Sequence, residues 1–269
     1  MTTTQTTMPA GTDNQSFCYD EQDRLTWSSS ATATPPCGGG NTAGTLTAAQ
    51  YTQAFTYDVM GRLATGPLGS YAYGSAAHVH AASGIGTQWT AAYDAAGNMT
   101  CRAPSSASTC AGTQTGAQLG YNNEGELAGW QNAPTSPTST AQYLYDGQGE
   151  RVEQVATQSG MTTTTVYVGG VEEVATSGAT TTTTTYYYVG GKRIGVSVNG
   201  VVSYVAGDGL GSANVTLSAG GSPTASVLYA PYGGTRYTSG TMPTSYGFTG
   251  QRADATSGLD YYGSRYYDP

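Results

Sequence analysis

The chain has 269 residues, with 9 Lys and Arg against 17 Asp and Glu, a net charge of −8 and only 10% charged residues, well under the roughly 25% usual for a globular domain. This length buries a sizeable core as one large all-β domain or two smaller ones. The acidic balance, without clustered Lys or Arg, excludes nucleic acid as a partner, and no run approaches the roughly 20 apolar residues of a membrane-spanning helix.

Residues 1–14 read as a polar tail of low complexity, and the opening Met-Thr-Thr-Thr-Gln-Thr-Thr-Met lacks the basic start and apolar segment of a secretory leader. From 15 to 160 one phrase recurs with variable inserts. It begins at Tyr19-Asp20, Tyr57-Asp58, Tyr93-Asp94, Tyr121-Asn122 and Tyr145-Asp146, at intervals of 38, 36, 28 and 24 residues. In each copy Tyr ends a strand and Asp or Asn opens a turn as acceptor for backbone N–H groups. Three residues later Gly takes a positive φ. The pairs Asp58 with Gly61, Asp94 with Gly97 and Asp146 with Gly149 are therefore structural turn positions. Asp23 stands where the other copies have Gly, which leaves the first turn weaker. Arg, Asn or Glu then faces outward, and Leu, Met or Val (Val152 in the fifth copy) returns the chain inward. Each unit is a β-hairpin that needs its neighbours to bury its apolar face.

Four cysteines fall in this part as two local pairs, Cys18 with Cys37 and Cys101 with Cys110. Each would close a short Ser/Thr/Pro/Gly-rich loop, which favours an oxidising compartment over a zinc site. Thr47–Ala54 is the one place that tolerates a turn of helix. His78-Val79-His80 would put two imidazoles on one strand face, but its surroundings favour a loop and no third ligand is evident.

From 161 to 269 the strands become explicit. Thr162–Val168 and Thr181–Val189 are Thr, Tyr and Val runs that end at Gly-Gly, and such side chains favour strands. Asn199-Gly200 joins Ile194–Val198 to Val201–Val205 as a two-residue hairpin. A further turn at Ala219–Ser222 joins Val215–Leu217 to Ala225–Tyr229. The fold expected is all-β: consecutive antiparallel β-hairpins forming a wound or curved sheet strip, a partial shell or barrel-like, with almost no helix.

The phrases Asp208-Gly209-Leu210-Gly211-Ser212, Tyr229-Ala230-Pro231-Tyr232-Gly233, Phe248-Thr249-Gly250-Gln251 and Arg265-Tyr266-Tyr267-Asp268-Pro269 follow one another in an order that resembles the YD-repeat, or Rhs, family and its Rhs-repeat-associated core. The resemblance is loose from Tyr19 and dense from about Tyr186. It implies a β-strip wound into a hollow shell, which in toxin systems encloses a C-terminal toxin, and related repeats serve adhesion at cell surfaces. Gly209 and Ala230 replace a His and an Asp of the family pattern. The family's aspartate-dependent self-cleavage segment would lie beyond Asp268-Pro269. A shell of the usual kind also needs a far longer strip.

Other readings are weaker. Glu172-Glu173 and the pair Asp254/Asp260 can be posed as catalytic dyads, but adjacent strand residues point to opposite faces and the two Asp lie in a polar turn. The clusters Tyr186, Tyr187, Tyr188 and Tyr261, Tyr262 supply sheet packing, with outward members as a contact surface for sugars or other subunits. Asp208, with Gly211, and Arg265, with Asp268, are expected structural ties, the Asp bonding turn amides and the Arg pairing with carboxylate. The expected protein is non-enzymatic, without metal or cofactor. It is a wall or scaffold, extracellular or at the cell surface, that self-associates through open sheet edges into a fibre or tube. The alternatives are a fragment of a toxin-encapsulating shell and a carbohydrate-binding adhesin, so a toxin cargo and glycans are the other partners.

Overall fold

A chain rich in Thr, Val and Tyr and punctuated by Gly and Asp favours short extended segments joined by tight turns, and the structure follows that rule throughout. The computed structural model describes residues 2–87 and 89–269. Among these residues there is no α-helix, and no helix is long and apolar enough to cross a membrane. The helical content is two 3-10 turns, Thr47–Ala49 and Phe248–Gly250, the first inside the stretch expected to tolerate one.

The chain divides into two compact units, Met1–Ala91 with Pro104–Ala107, and Ala92–Ala103 with Ser108–Pro269. In the first, β1 (Thr2–Met8), β2 (Gly11–Tyr19), β3 (Leu25–Ser29) and β4 (Thr52–Ala54) form a four-stranded sheet in chain order. Shorter strands follow, β5 (Thr56–Tyr57), β6 (Leu63–Gly66), β7 (Gly69–Ala72), β8 (Gly84–Ile85) and β9 (Trp89–Tyr93), each from β6 on pairing antiparallel with its predecessor. The expected polar tail is thus a correction. Met1 lies outside the described residues, but Thr2–Met8 pairs with β2 in continuous register from Thr2↔Phe17 to Met8↔Gly11, and Asp13 is buried. Polarity misled because Thr is both polar and a strong strand former. The disulfide Cys18–Cys37 forms in this unit as paired in the sequence.

The second unit is a run of consecutive hairpins, each strand antiparallel to the next. They are β10 (Met99–Ala103), β11 (Ala117–Tyr121), β12 (Leu127–Gln131), β13 (Ser139–Tyr145), β14 (Arg151–Gln158), β15 (Met161–Val168) and β16 (Glu172–Ser177). Then come β17 (Thr180–Val189), β18 (Lys192–Val198), β19 (Val201–Gly207), β20 (Ala213–Ser218), β21 (Pro223–Tyr229) and β22 (Thr235–Ser239). A separate three-stranded sheet closes it: β23 (Arg252–Asp254), β24 (Leu259–Tyr261) and β25 (Tyr266–Tyr267). The sequence boundary at 160/161 therefore falls inside the turn between β14 and β15 and not between compact units. Asn199 and Gly200 carry φ of 49° and 86°, as their two-residue hairpin requires.

The recurring phrase has one geometry. In the turn at Asp58, its N–H donates to the Arg62 carbonyl at 2.9 Å, and Oδ1 accepts from Met60 N at 2.9 Å and Arg62 N at 3.0 Å. Asp20, Asp94, Asn122, Asp146 and Asp208 repeat this pattern with the residues two and four further on. Gly61, Gly97, Gly149 and Gly211 take φ between 77° and 89°. The first turn forms with Asp23 at φ 58°, a region that Asp tolerates better than most residues. Ala230 makes the same backbone turn without a carboxylate, Gly233 N donating to its carbonyl at 2.9 Å.

Two features depart from the expected outward Arg. Arg24 and Arg62 fold back onto Asp20 and Asp58, Nε donating to Oδ2 at 2.8 and 2.6 Å. Their guanidinium groups then lie 4.5 and 4.3 Å from the ring centroids of Tyr57 and Tyr73. Arginine here covers the ring of the next hairpin, where planarity and charge both contribute. The Arg24 hydrogen bond and the turn amides hold the Asp20 carboxyl below its ordinary range, and the Asn98 amide does the same for Asp94.

Candidate functional site: a buried lock on the closing segment

The apolar core of the second unit joins the strip to its closing segment. Leu119, Trp130 and Ala141 lie opposite one another across β11, β12 and β13, and with Ala117, Leu127 and Tyr143 they bury one face of the sheet. Leu259 of β24 belongs to the same cluster, with Tyr266 packed against it. Each leucine so removed from water contributes about 1.5–3 kcal/mol, and each alanine methyl under about 1 kcal/mol. The closing sheet β23–β25 is thereby seated on the strip's apolar face, and the charged residues it carries are brought under cover.

Three charge pairs tie it down. The first centres on Arg151 and Asp254, whose side chains are both 0% exposed. Arg151 Nη1 donates to Asp254 Oδ2 at 3.4 Å and to the Tyr266 hydroxyl at 3.3 Å, and Nη2 donates to the Tyr167 hydroxyl at 3.3 Å. The rings of Tyr261, Tyr167 and Tyr143 surround the guanidinium at 4.7, 4.8 and 5.4 Å. Asp254 in turn accepts from the Tyr143 hydroxyl at 2.6 Å, from Gln154 Nε2 at 3.1 Å and from Thr256 N at 3.1 Å. Burial raises the Tyr143 phenol far above its ordinary value, and the neighbouring Asp254 charge adds to it. That phenol therefore remains a donor at any physiological pH.

The second pair is Glu173 with Arg252. Oε1 of Glu173 accepts from Arg252 Nε at 2.9 Å, from the Tyr186 hydroxyl at 3.0 Å and from Ser245 Oγ at 3.2 Å. Arg252 lies over the rings of Tyr167 and Tyr246 at 4.2 and 4.6 Å. Arg193 reaches the Tyr246 ring, 3.3 Å from its centroid. The third pair is Arg102 with Asp268, a two-pronged contact with Nε to Oδ2 at 2.6 Å. Beside it Asp260 is buried, and desolvation, with the Asp268 charge second, pushes its carboxyl up to about 6.

In this arrangement Arg151 and Arg252 each meet a carboxylate and several phenol rings, Arg102 meets a carboxylate, and Arg193 lies against phenol rings. Chemically it fastens: buried charges paired and hydrogen-bonded fix one register and resist separation. Among the described residues no group of three or more His, Cys, Asp or Glu is placed to hold a metal ion, and His78 and His80 lie in a bend and turn.

The sequence-named residues divide cleanly. Asp58, Asp94, Asp146 and Asp208 accept turn N–H groups, and Cys101 is bonded to Cys110. Tyr186 and Tyr261 are buried, which removes them from the expected contact surface, while Tyr187 and Tyr188 are 44% and 39% exposed. Tyr262 is half-buried, its hydroxyl 2.6 Å from Thr249 Oγ1. Arg265 is a correction: it is exposed and contributes its backbone carbonyl to Tyr262 N at 2.8 Å, so Asp268 is held by Arg102 instead. The fifth repeat returns inward with Arg151, which pairs with Tyr145 as Leu127 pairs with Tyr121, and not with Val152. An arginine at a position filled by Leu or Met in the other copies was the available signal for the lock. Its partners on β23 lie about a hundred residues away and carry no local sign.

No family model and no curated protein sequence matches the chain. Solved structures do. The chain is similar to part of a mutant Tc holotoxin pore of Photorhabdus luminescens, with a TM-score of 0.52 and 18% identity over 96% of this chain and 16% of that one. It is similar in the same way to a TcdB2–TccC3–Cdc42 crystal structure (0.53, 19%, 96% and 17%) and to TcdB2–TccC3 (0.52, 18%, 99% and 17%). The chain spans about a sixth of the length of those structures' chains. At this identity the likeness is one of fold, and that shared fold is the consecutive-hairpin strip described above.

Proposed function

We propose that this chain is a non-enzymatic wall segment of an Rhs-type shell, one part of a larger enclosure around a protein cargo. The observation that carries this reading is the fold shared over nearly the whole chain with segments of Tc toxin structures, together with the Rhs-like phrases of the sequence. The buried lock fits such a role, since a wall must hold its register without help from its contents. A strip a sixth as long as those neighbours encloses nothing by itself. Several copies, or further repeats in one polypeptide, complete the enclosure. The two disulfides suit an oxidising compartment, so the shell works outside the cytoplasm or at the cell surface.

Electron microscopy of the native material, with mass photometry, tests this. A hollow particle with internal density is the expected result; uniformly small solid particles at high concentration would overturn it. A self-associating fibre or tube is the second reading, favoured by β1, an uncharged seven-residue strand without proline or bulge, a template of the kind that pairs with other chains. Filaments in the same micrographs would select it.

A further inference from the structure

We infer that the Cys101–Cys110 disulfide is a redox-sensitive catch on the closing segment of the second unit. Cys101 and Cys110 are buried with Ala103 in a small cluster of their own. Cys101 immediately precedes Arg102, the residue that grips Asp268 with two nitrogens and reaches the Ser257 carbonyl at 3.5 Å. At its start the Met99 carbonyl of β10 is held by the Tyr121 hydroxyl of β11 at 3.0 Å, and its Cys101–Arg102 end rests on a short pairing with β11. The two strands share two register pairs, Cys101↔Gln118 and Arg102↔Ala117, where β13 and β14 share seven.

The disulfide supplies the missing constraint by tying Cys101 to the loop at Cys110. That loop is itself fastened to the start of β11 through Thr109, whose carbonyl accepts from Thr115 N at 2.8 Å and Gly116 N at 3.1 Å. A dithiol reductant delivers two electrons and two protons. The S–S bond breaks, two thiols form, and the reductant closes to its own disulfide. The end of β10 then frays, Arg102 loses its fixed position, and Asp268 and the turn at Ser257 are released. Cys18–Cys37 lies in the first unit, so it serves as the internal control.

Hydrogen exchange read by mass spectrometry on the full chain tests this, before and after a dithiol reductant, with free thiols counted. The expected result is exchange about tenfold faster in Arg252–Tyr267 while β15–β17 keep their protection, as for a local opening. Cys101→Ser/Cys110→Ser reproduces it without reductant, Arg102→Gln reproduces it with the disulfide intact, and Cys18→Ser/Cys37→Ser does not. The inference is overturned if Arg252–Tyr267 keeps its protection once Cys101 and Cys110 are counted as free thiols. It is equally overturned if that disulfide stays closed in excess dithiol, or if protection falls evenly across the unit. Should the double serine variant fail to fold, the reduced wild-type chain and Arg102→Gln decide.

Discussion

The hydroxyl of Tyr57 donates to the carbonyl of Leu25 at 2.8 Å, tying the tyrosine that opens one repeat to the residue that returns the chain inward in the repeat before it. Tyr73 does the same to Leu63 at 2.9 Å, Tyr121 to Met99 at 3.0 Å and Tyr145 to Leu127 at 2.7 Å. The preference for tyrosine over phenylalanine follows from this contact. The ring packs against the neighbouring hairpin while the hydroxyl satisfies a carbonyl left free by the bulge at the turn.

Tyr57→Phe is expected to cost about 1 kcal/mol, the usual net value of one such bond. Tyr145→Phe costs more, about 1–3 kcal/mol, because its hydroxyl also meets that of Tyr266 at 3.0 Å inside the core. Urea unfolding of both variants, followed by tryptophan fluorescence, measures the difference. Equal midpoints with wild type would remove the tie.

Asp254→Asn leaves Arg151 charged and sealed from water, and about 3–5 kcal/mol of stability should be lost. Replacing both, as Arg151→Met with Asp254→Leu, should cost less than the sum of the single changes, since no uncompensated charge remains. A thermal melt of each variant reads this directly, and strictly additive losses would contradict the pairing.

Asp208 sits on an exposed turn and acts through Oδ1 alone, accepting from Leu210 N and Ser212 N at 2.9 Å. Asp208→Ala is therefore expected to cost about 1 kcal/mol, whereas Asp208→Asn, which keeps that oxygen, costs a few tenths. Ala230 occupies the same place in its own turn, so neither change should abolish folding. A chemical melt resolving half a kcal/mol distinguishes them.

The pH dependence has a definite sign at Asp260. Its carboxyl titrates at about 6 in the folded chain against 3.8 unfolded, so the folded state holds the proton more tightly. The resulting stabilisation is complete below about pH 4 and is lost as pH rises through about 6, an effect on the order of 2–3 kcal/mol. Asp260→Asn should raise stability at pH 8 and flatten the profile between pH 4 and 6 relative to wild type. Parallel profiles for the two proteins would show that Asp260 titrates normally.

The sequence by itself determined the local structure, because turns and strands are short-range matters. Asp at the first turn position, Gly three residues on and β-branched runs between them specify each hairpin within about ten residues, and both loop-closing disulfides were legible for the same reason. The tertiary structure alone decided which residues meet across a hundred positions. Arg151 finds Asp254, Glu173 finds Arg252 and Arg102 finds Asp268 because Leu259 and Tyr266 seat the closing sheet on an apolar face that forms only after the hairpins have paired. The same step left Arg265 in solvent. Propensity acts within a hairpin, whereas burial, which fixes partners for buried charges, is a property of the assembled sheet.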